Sequence, residues 1–134
     1  MFYKMIENKC KEWYASEQRT VHNLIEYIEK TGQMRDAQIE AIKVYLFLKI
    51  GCECRPLEFL FRYGCFNSIN LNDIELSTAT REYLEENPAA TALFEYARLT
   101  NDKGEQVSEK LEKQIKKDPS SIDYDAFFKN AFYN

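Results

Sequence analysis

Gly32, Gly51, Pro56, Gly64, Pro88, Gly104 and Pro119 are the only glycines and prolines among 134 residues. These two residue types are the strongest breakers of regular structure, so long segments run uninterrupted between them. Inside those segments apolar residues recur three and four positions apart, the spacing of one face of a helix. A β-sandwich needs turn signals about every eight to twelve residues, and this chain does not supply them. The pattern predicts an all-α fold: one helical domain over residues 1–134, a single irregular bundle of about seven or eight helices. A chain of this length buries about two-thirds of the surface it exposes when unfolded, enough for one core.

The segments carry their own start and stop signals. A first helix is expected over residues 2–14, with Phe2, Met5, Ile6, Cys10 and Trp13 near helical spacing. Ser16 reads as the N-cap of the next helix, with Glu17 beside its positive end. Leu24, Ile25 and Ile28 line that second helix together with Val21, and Gly32 stops it. The third helix lies in MRDAQIEAIKVYLFLKI (34–50). It is apolar around most of its circumference, which predicts a central position, and Gly51 ends it. Pro56 opens and Gly64 closes a short helix in RPLEFLFRYG. CFNSINLNDIELS reads as loop. A short helix follows in STATREYLEEN. Asn87 and Pro88 then form a strong start for PAATALFEYARLT. NDKGE is a turn, and the helix after it buries a thin Val107–Leu111–Ile115 line. Its wet side carries Glu112→Lys116 in the favourable orientation. Asp123 caps a last helix loaded with Phe127, Phe128 and Phe132. Such a Phe-rich end must dock on the core or continue into further chain.

Composition limits the function classes. The net charge is −4, and the charged helix faces interleave acids and bases, so no nucleic-acid stripe is present. No run approaches the ~20 apolar residues of a membrane span, so no membrane partner is expected. The opening MFYKMIENK carries charges where a secretion signal needs an apolar core. Cys10, Cys52, Cys54 and Cys65 are therefore expected as reduced thiols in the cytoplasm. Cys52, Cys54 and Cys65 offer three thiolates for zinc, but Cys-x-Cys is not the usual knuckle spacing, and His22 is the only imidazole. Buried or half-buried thiols are the plainer expectation.

Catalytic templates fail one by one. The four glycines never form G-x-x-x-x-G-K-[ST], and G-x-S-x-G, H-E-x-x-H and calcium-loop patterns are missing as well. His22 has no evident carboxylate partner, so it reads as a helix-boundary residue rather than a general base. The chain by itself is expected to catalyse nothing.

One motif remains. In GQMRDAQIEAI, Arg35, two residues, then Gln38, with Ala41 and Ile42 following, resembles the Q-motif of superfamily 2 helicases. The preceding WYASEQRTVHNLIEYIEKTGQ and the following YLFLKI are similar to the N-terminal region of bacterial DEAD/DEAH-box helicases of the type III restriction subunit kind. A Gln carboxamide carries both a donor and an acceptor, so it can pair with adenine N6–H and N7 together. The resemblance implies ATP as cofactor, with Mg²⁺ in the parent protein, and Gln38 and Arg35 as nucleotide-site residues. It implies as partners the remainder of the motor, DNA, and a modification or nuclease subunit. It also implies a helical insertion between Gln38 and a phosphate loop beyond Asn134, since none follows within this sequence. Two other expectations stand beside it. RDAQIEAI reads equally as an amphipathic helix start, with Arg35 and Asp36 as polar cap and Gln38 facing solvent. The whole chain then reads as a self-contained interaction module whose Tyr3, Trp13, Tyr63, Phe66 and C-terminal Phe residues either dock a partner or pack the core.

Overall fold

The computed structural model describes residues 2–16, 19–32 and 35–133, with 19–21 and 133 described through their backbone alone. Eight α-helices lie in these residues: α1 (Phe2–Ser16), α2 (Arg19–Thr31), α3 (Asp36–Leu46), α4 (Leu57–Arg62), α5 (Thr78–Glu86), α6 (Pro88–Arg98), α7 (Glu109–Lys117) and α8 (Tyr124–Tyr133). A π-helical turn, Phe47–Gly51, prolongs α3, and short 3-10 turns occupy Leu71–Asp73 and Pro119–Ser121. The described residues contain no strand, only an isolated bridge between Thr100 and Gln106. The all-α class expected from the apolar spacing is therefore the class observed. The chain's contacts gather in two compact units, one made of residues 1–5 and 56–134, the other of residues 6–55.

In the larger unit α6 is the central helix. Pro88 occupies its first turn, where a missing N–H costs nothing. Ala90, Ala92, Leu93, Phe94 and Ala97 are fully covered, and α4, α5, α7 and α8 all pack against it. Three alanines on the buried face keep the neighbours close, while Leu93 and Phe94 fill the gaps. Asn87 precedes the helix as expected, but its amide donates to the Tyr83 carbonyl at 2.7 Å instead of capping α6. The Phe-rich end docks on the core: Phe128 is fully buried, and the Phe132 ring lies 5.2 Å from Phe61. Asp123 caps α8 as expected, accepting from the Ala126 N–H at 3.1 Å. Thr80, almost wholly buried, donates to the Lys116 carbonyl at 3.0 Å and so ties the start of α5 to the end of α7.

α7 is set by its cap. Ser108 accepts from the Leu111 N–H at 3.1 Å, so the helix starts later than the run EQVSEKLEKQIKK suggests. Only Ile115 of the expected apolar line is fully buried; Val107 and Leu111 are half-buried. Glu112 bridges Lys116 at 3.4 Å and also takes Arg98 at 3.1 Å. Ser108→Ala removes the cap acceptor. Unfolding free energy is expected to fall by about 1 kcal/mol, read as a lower urea midpoint at unchanged slope.

In the smaller unit Ile25 and Ile39 are buried, with Trp13, Tyr14, Ile28, Ile42 and Leu46 packed around them. Two expectations are corrected here. Ser16 does not cap α2: it is the last residue of α1, and its hydroxyl donates to the Trp13 carbonyl at 2.9 Å. Serine back-bonding to a preceding carbonyl competes with capping forward. Glu17, expected beside it, lies outside the described residues. The second correction is α3, which is not central. Of α3 and its π-turn only Ile39 and Phe47 are buried, while Tyr45 and Ile50 are 59% and 55% exposed. An apolar circumference predicts burial only where neighbours exist to cover it, and this unit covers one side.

Candidate functional site

The residues singled out by the Q-motif resemblance lie at the start of α3. Arg35 is the N-cap, with extended backbone (φ −78°, ψ 158°), and Asp36 opens the first turn, where its charge suits the helix dipole. Gln38 is the third helical residue. Its Oε1 accepts from the Arg35 N–H at 2.8 Å, the back-reaching half of a capping box. The forward half is closed to arginine, whose guanidinium has donors only. Arg35, Gln38 and Ala41 are exposed, while Ile42 is half-buried against the Ile25–Ile39 core. The structure thus brings Arg35 and Gln38 together through the backbone of one and the side chain of the other.

Gln38 has an occupied oxygen lone pair. An amide oxygen offers a second lone pair and its nitrogen two protons, so a base could still be read, in competition with or beside the Arg35 N–H. The neighbouring hollow is an open space of about 480 Å³ lined by Glu29, Asp36, Ile39, Glu40 and Lys43; neither Gln38 nor Arg35 lines it. Lys43 is bridged to Glu40 at 3.4 Å, so the hollow is acid-rich and repels a triphosphate.

The other chemistry-bearing residues are accounted for structurally. The half-buried His22 ring stacks on Tyr14, centroids 4.2 Å apart, and its Nε2 bonds the Tyr14 carbonyl. Lys43 Nζ stands 4.7 Å from the centre of the same Tyr14 ring. His22 therefore joins α2 to the end of α1, the boundary role expected of it. Burial, with help from Glu40 and Glu7, pushes the Cys10 thiol up from its ordinary value, which makes it inert. Cys52 is half-buried, and Cys54 and Cys65 are exposed. Among the described residues no group of three or more His, Cys, Asp or Glu is arranged to hold a metal. No helix of the described residues is long and apolar enough to cross a membrane.

Sequence reasoning passed over one cluster, Glu58–Arg62–Asp125. Arg62 donates to Glu58 at 2.9 Å and to Asp125 at 3.0 Å. The hydrogen bond to Glu58, then that to Asp125, raises its pKa further. The available signal was the (i, i+4) pair Glu58/Arg62; nothing local announced Asp125. Arg62 also edges an open cleft of about 350 Å³ between the starts of α6 and α8. With its one cation shared by two carboxylates, the cluster cross-links α4 to α8 and has no charge left over for an anionic ligand. Of the aromatics considered as docking anchors, Phe66 and Phe128 are core, Trp13 is half-buried, and Tyr3 and Tyr63 are 55% and 59% exposed. No family model, no curated protein and no solved structure matches the chain.

Proposed function

We propose that this chain is the helical N-terminal part of an ATP-dependent DNA helicase or translocase of a restriction system, working in the cytoplasm. In this reading α3 presents Gln38 to the adenine of ATP, and Arg35 orients or stacks beside the base. One observation carries it: the Arg35-x-x-Gln38-x-x-Ala41-Ile42 order falls on the start of a helix whose Ile42 faces the core while Arg35 and Gln38 remain exposed. That is the polarity an adenine reader needs. The remainder of the motor supplies the phosphate loop and the Mg²⁺ site. DNA and a modification or nuclease subunit are its further partners.

The chain alone then binds ATP very weakly. Two neutral hydrogen bonds net about 0.5–1.5 kcal/mol each, far from the roughly 8 kcal/mol of a micromolar complex. Isothermal titration with ATP is expected to give no binding below millimolar concentration; a micromolar dissociation constant contradicts this. In the longest natural chain, Gln38→Ala is expected to abolish ATPase activity while circular dichroism stays unchanged. An undiminished rate there removes the adenine-reading role.

A second reading, from another class, is a self-contained helical module that docks a protein partner. The cap bond from Arg35 N–H already gives Gln38 a structural task, and Tyr3, Tyr27, Tyr45 and Tyr63 are exposed aromatics of the kind found at such interfaces. The reading frame after Asn134 separates the two: a strand leading to G-x-G-K-[ST] favours the motor, a stop codon the module.

A further inference from the structure

The segment after α3 folds into an unusual turn. The Cys52 N–H donates to the Phe47 carbonyl at 2.9 Å and the Cys54 N–H to the Leu48 carbonyl at 3.1 Å, closing the π-helical end of α3. The Arg55 N–H then donates to the Cys52 carbonyl at 3.2 Å. This makes Cys52–Arg55 a four-residue turn whose central residues, Glu53 (φ 57°) and Cys54 (φ 60°), are both left-handed. Positive φ at both centres is the pattern of a type I′ turn, which favours Asn-Gly or Gly-Gly. Neither Glu53 nor Cys54 is a residue that takes it without strain.

The turn puts two cysteines at its first and third positions. Consecutive Cα atoms are 3.80 Å apart, and a helical bend at residue 53 closes the angle between them toward 90°. Ideal geometry for such a bend sets Cα atoms two residues apart at about 5.5 Å, which meets the Cα span a disulfide requires. In an extended chain the same pair stands at about 7 Å, beyond it. Cys54 is exposed, with its Sγ 3.5 Å from the Lys49 carbonyl oxygen, and Cys52 is half-buried.

We infer that Cys52 and Cys54 are a reversible dithiol–disulfide pair, closed by exchange with a low-molecular-weight disulfide such as oxidised glutathione. The Cys54 thiolate attacks one sulfur of oxidised glutathione. The glutathione S–S bond breaks, one glutathione leaves as thiolate and takes up a proton, and Cys54 carries the mixed disulfide. The Cys52 thiolate then attacks Cys54 Sγ and expels the second glutathione, which is protonated in turn. The protein gives up two electrons and two protons, and oxidised glutathione becomes two thiols. A ring spanning one intervening residue is strained, and strained exposed disulfides are the easily reduced, regulatory ones. Closure locks the left-handed turn at Glu53 and Cys54.

The test equilibrates the full chain in glutathione buffers of graded oxidised-to-reduced ratio, quenches with an alkylating agent and weighs the peptide containing residues 52–54. Loss of two hydrogens, rising with the oxidised fraction, is expected. Cys52→Ser should stop closure and leave one glutathione on Cys54, whereas Cys10→Ser and Cys65→Ser should change nothing. Glu53→Gly should close as readily as the parent, because glycine takes positive φ freely. Glu53→Pro, whose φ is locked negative, should lower the closure constant about tenfold, with circular dichroism reporting the helices intact. Full alkylation at every ratio, a mixed disulfide that never resolves, or a closure constant indifferent to Glu53→Pro each overturns the inference.

Discussion

Phe61→Ala will lower the unfolding free energy of the unit formed by residues 1–5 and 56–134 by about 3–5 kcal/mol. Phe61 is fully buried and stands at the middle of an aromatic cluster. Its ring lies 4.9 Å from Phe2, 4.8 Å from Phe66, 5.2 Å from Phe132 and 6.0 Å from Phe128. Truncation removes the transfer free energy of a benzyl group and leaves a cavity that four rings on three other segments cannot jointly fill. Edge-on and offset ring pairs add about 0.5–1.5 kcal/mol each beyond area burial, so the loss belongs at the upper end. Domains of this size are stable by only about 5–15 kcal/mol. The variant should therefore show a sharply lower urea midpoint, and Phe61→Leu, which keeps most of the volume, a smaller shift. A loss under about 1 kcal/mol means that the cluster is not the core of this unit.

Gly64→Ala is the second large effect, and it separates two costs of replacing a glycine. Gly64 has φ +73°, and a Cβ there meets Asn67 Nδ2 at 2.7 Å and Pro88 Cβ at 2.9 Å. Asn67 cannot swing aside without releasing its 3.2 Å hydrogen bond to the Pro88 carbonyl, and Pro88 is fixed as the first residue of α6. The left-handed backbone costs an L-residue about 1–2 kcal/mol, and forced overpacking a further 1–3 or so. A total of about 2–5 kcal/mol is expected by urea denaturation. Gly104→Ala is the control. Its φ of +80° carries the same backbone penalty, but nothing lies within 4 Å of the added methyl, so it should lose only about 1–2 kcal/mol. Equal losses in the two variants show that the contact with Pro88 and Asn67 is harmless.

The candidate site was legible in part. The order Arg35–Gln38–Ala41–Ile42 and its position at a helix start can be read directly, because a helix's first turn is defined by local residues. The use of the Gln38 amide could not be read so directly. Whether the side chain folds back onto the Arg35 N–H is a contest between one local bond and whatever surrounds it. The left-handed pair at Glu53 and Cys54 gave no signal, since neither type prefers positive φ. It is held there by hydrogen bonds to Phe47, Leu48 and Cys52 carbonyls.

Breaker positions and three-and-four spacing by themselves determined that this chain is helical, and where most helices stop. Gly32 and Gly64 end α2 and α4 with positive φ, and Pro88 starts α6. Those outcomes are decided by backbone sterics within a few residues. Only the tertiary structure decided which helix is buried. α3 has the broader apolar circumference, yet it is α6, with four alanines, that four other helices enclose. A helix's own pattern states how much apolar surface it offers. The amount covered depends on which neighbours arrive, and small residues such as Ala90, Ala92 and Ala97 let them come close from several sides at once.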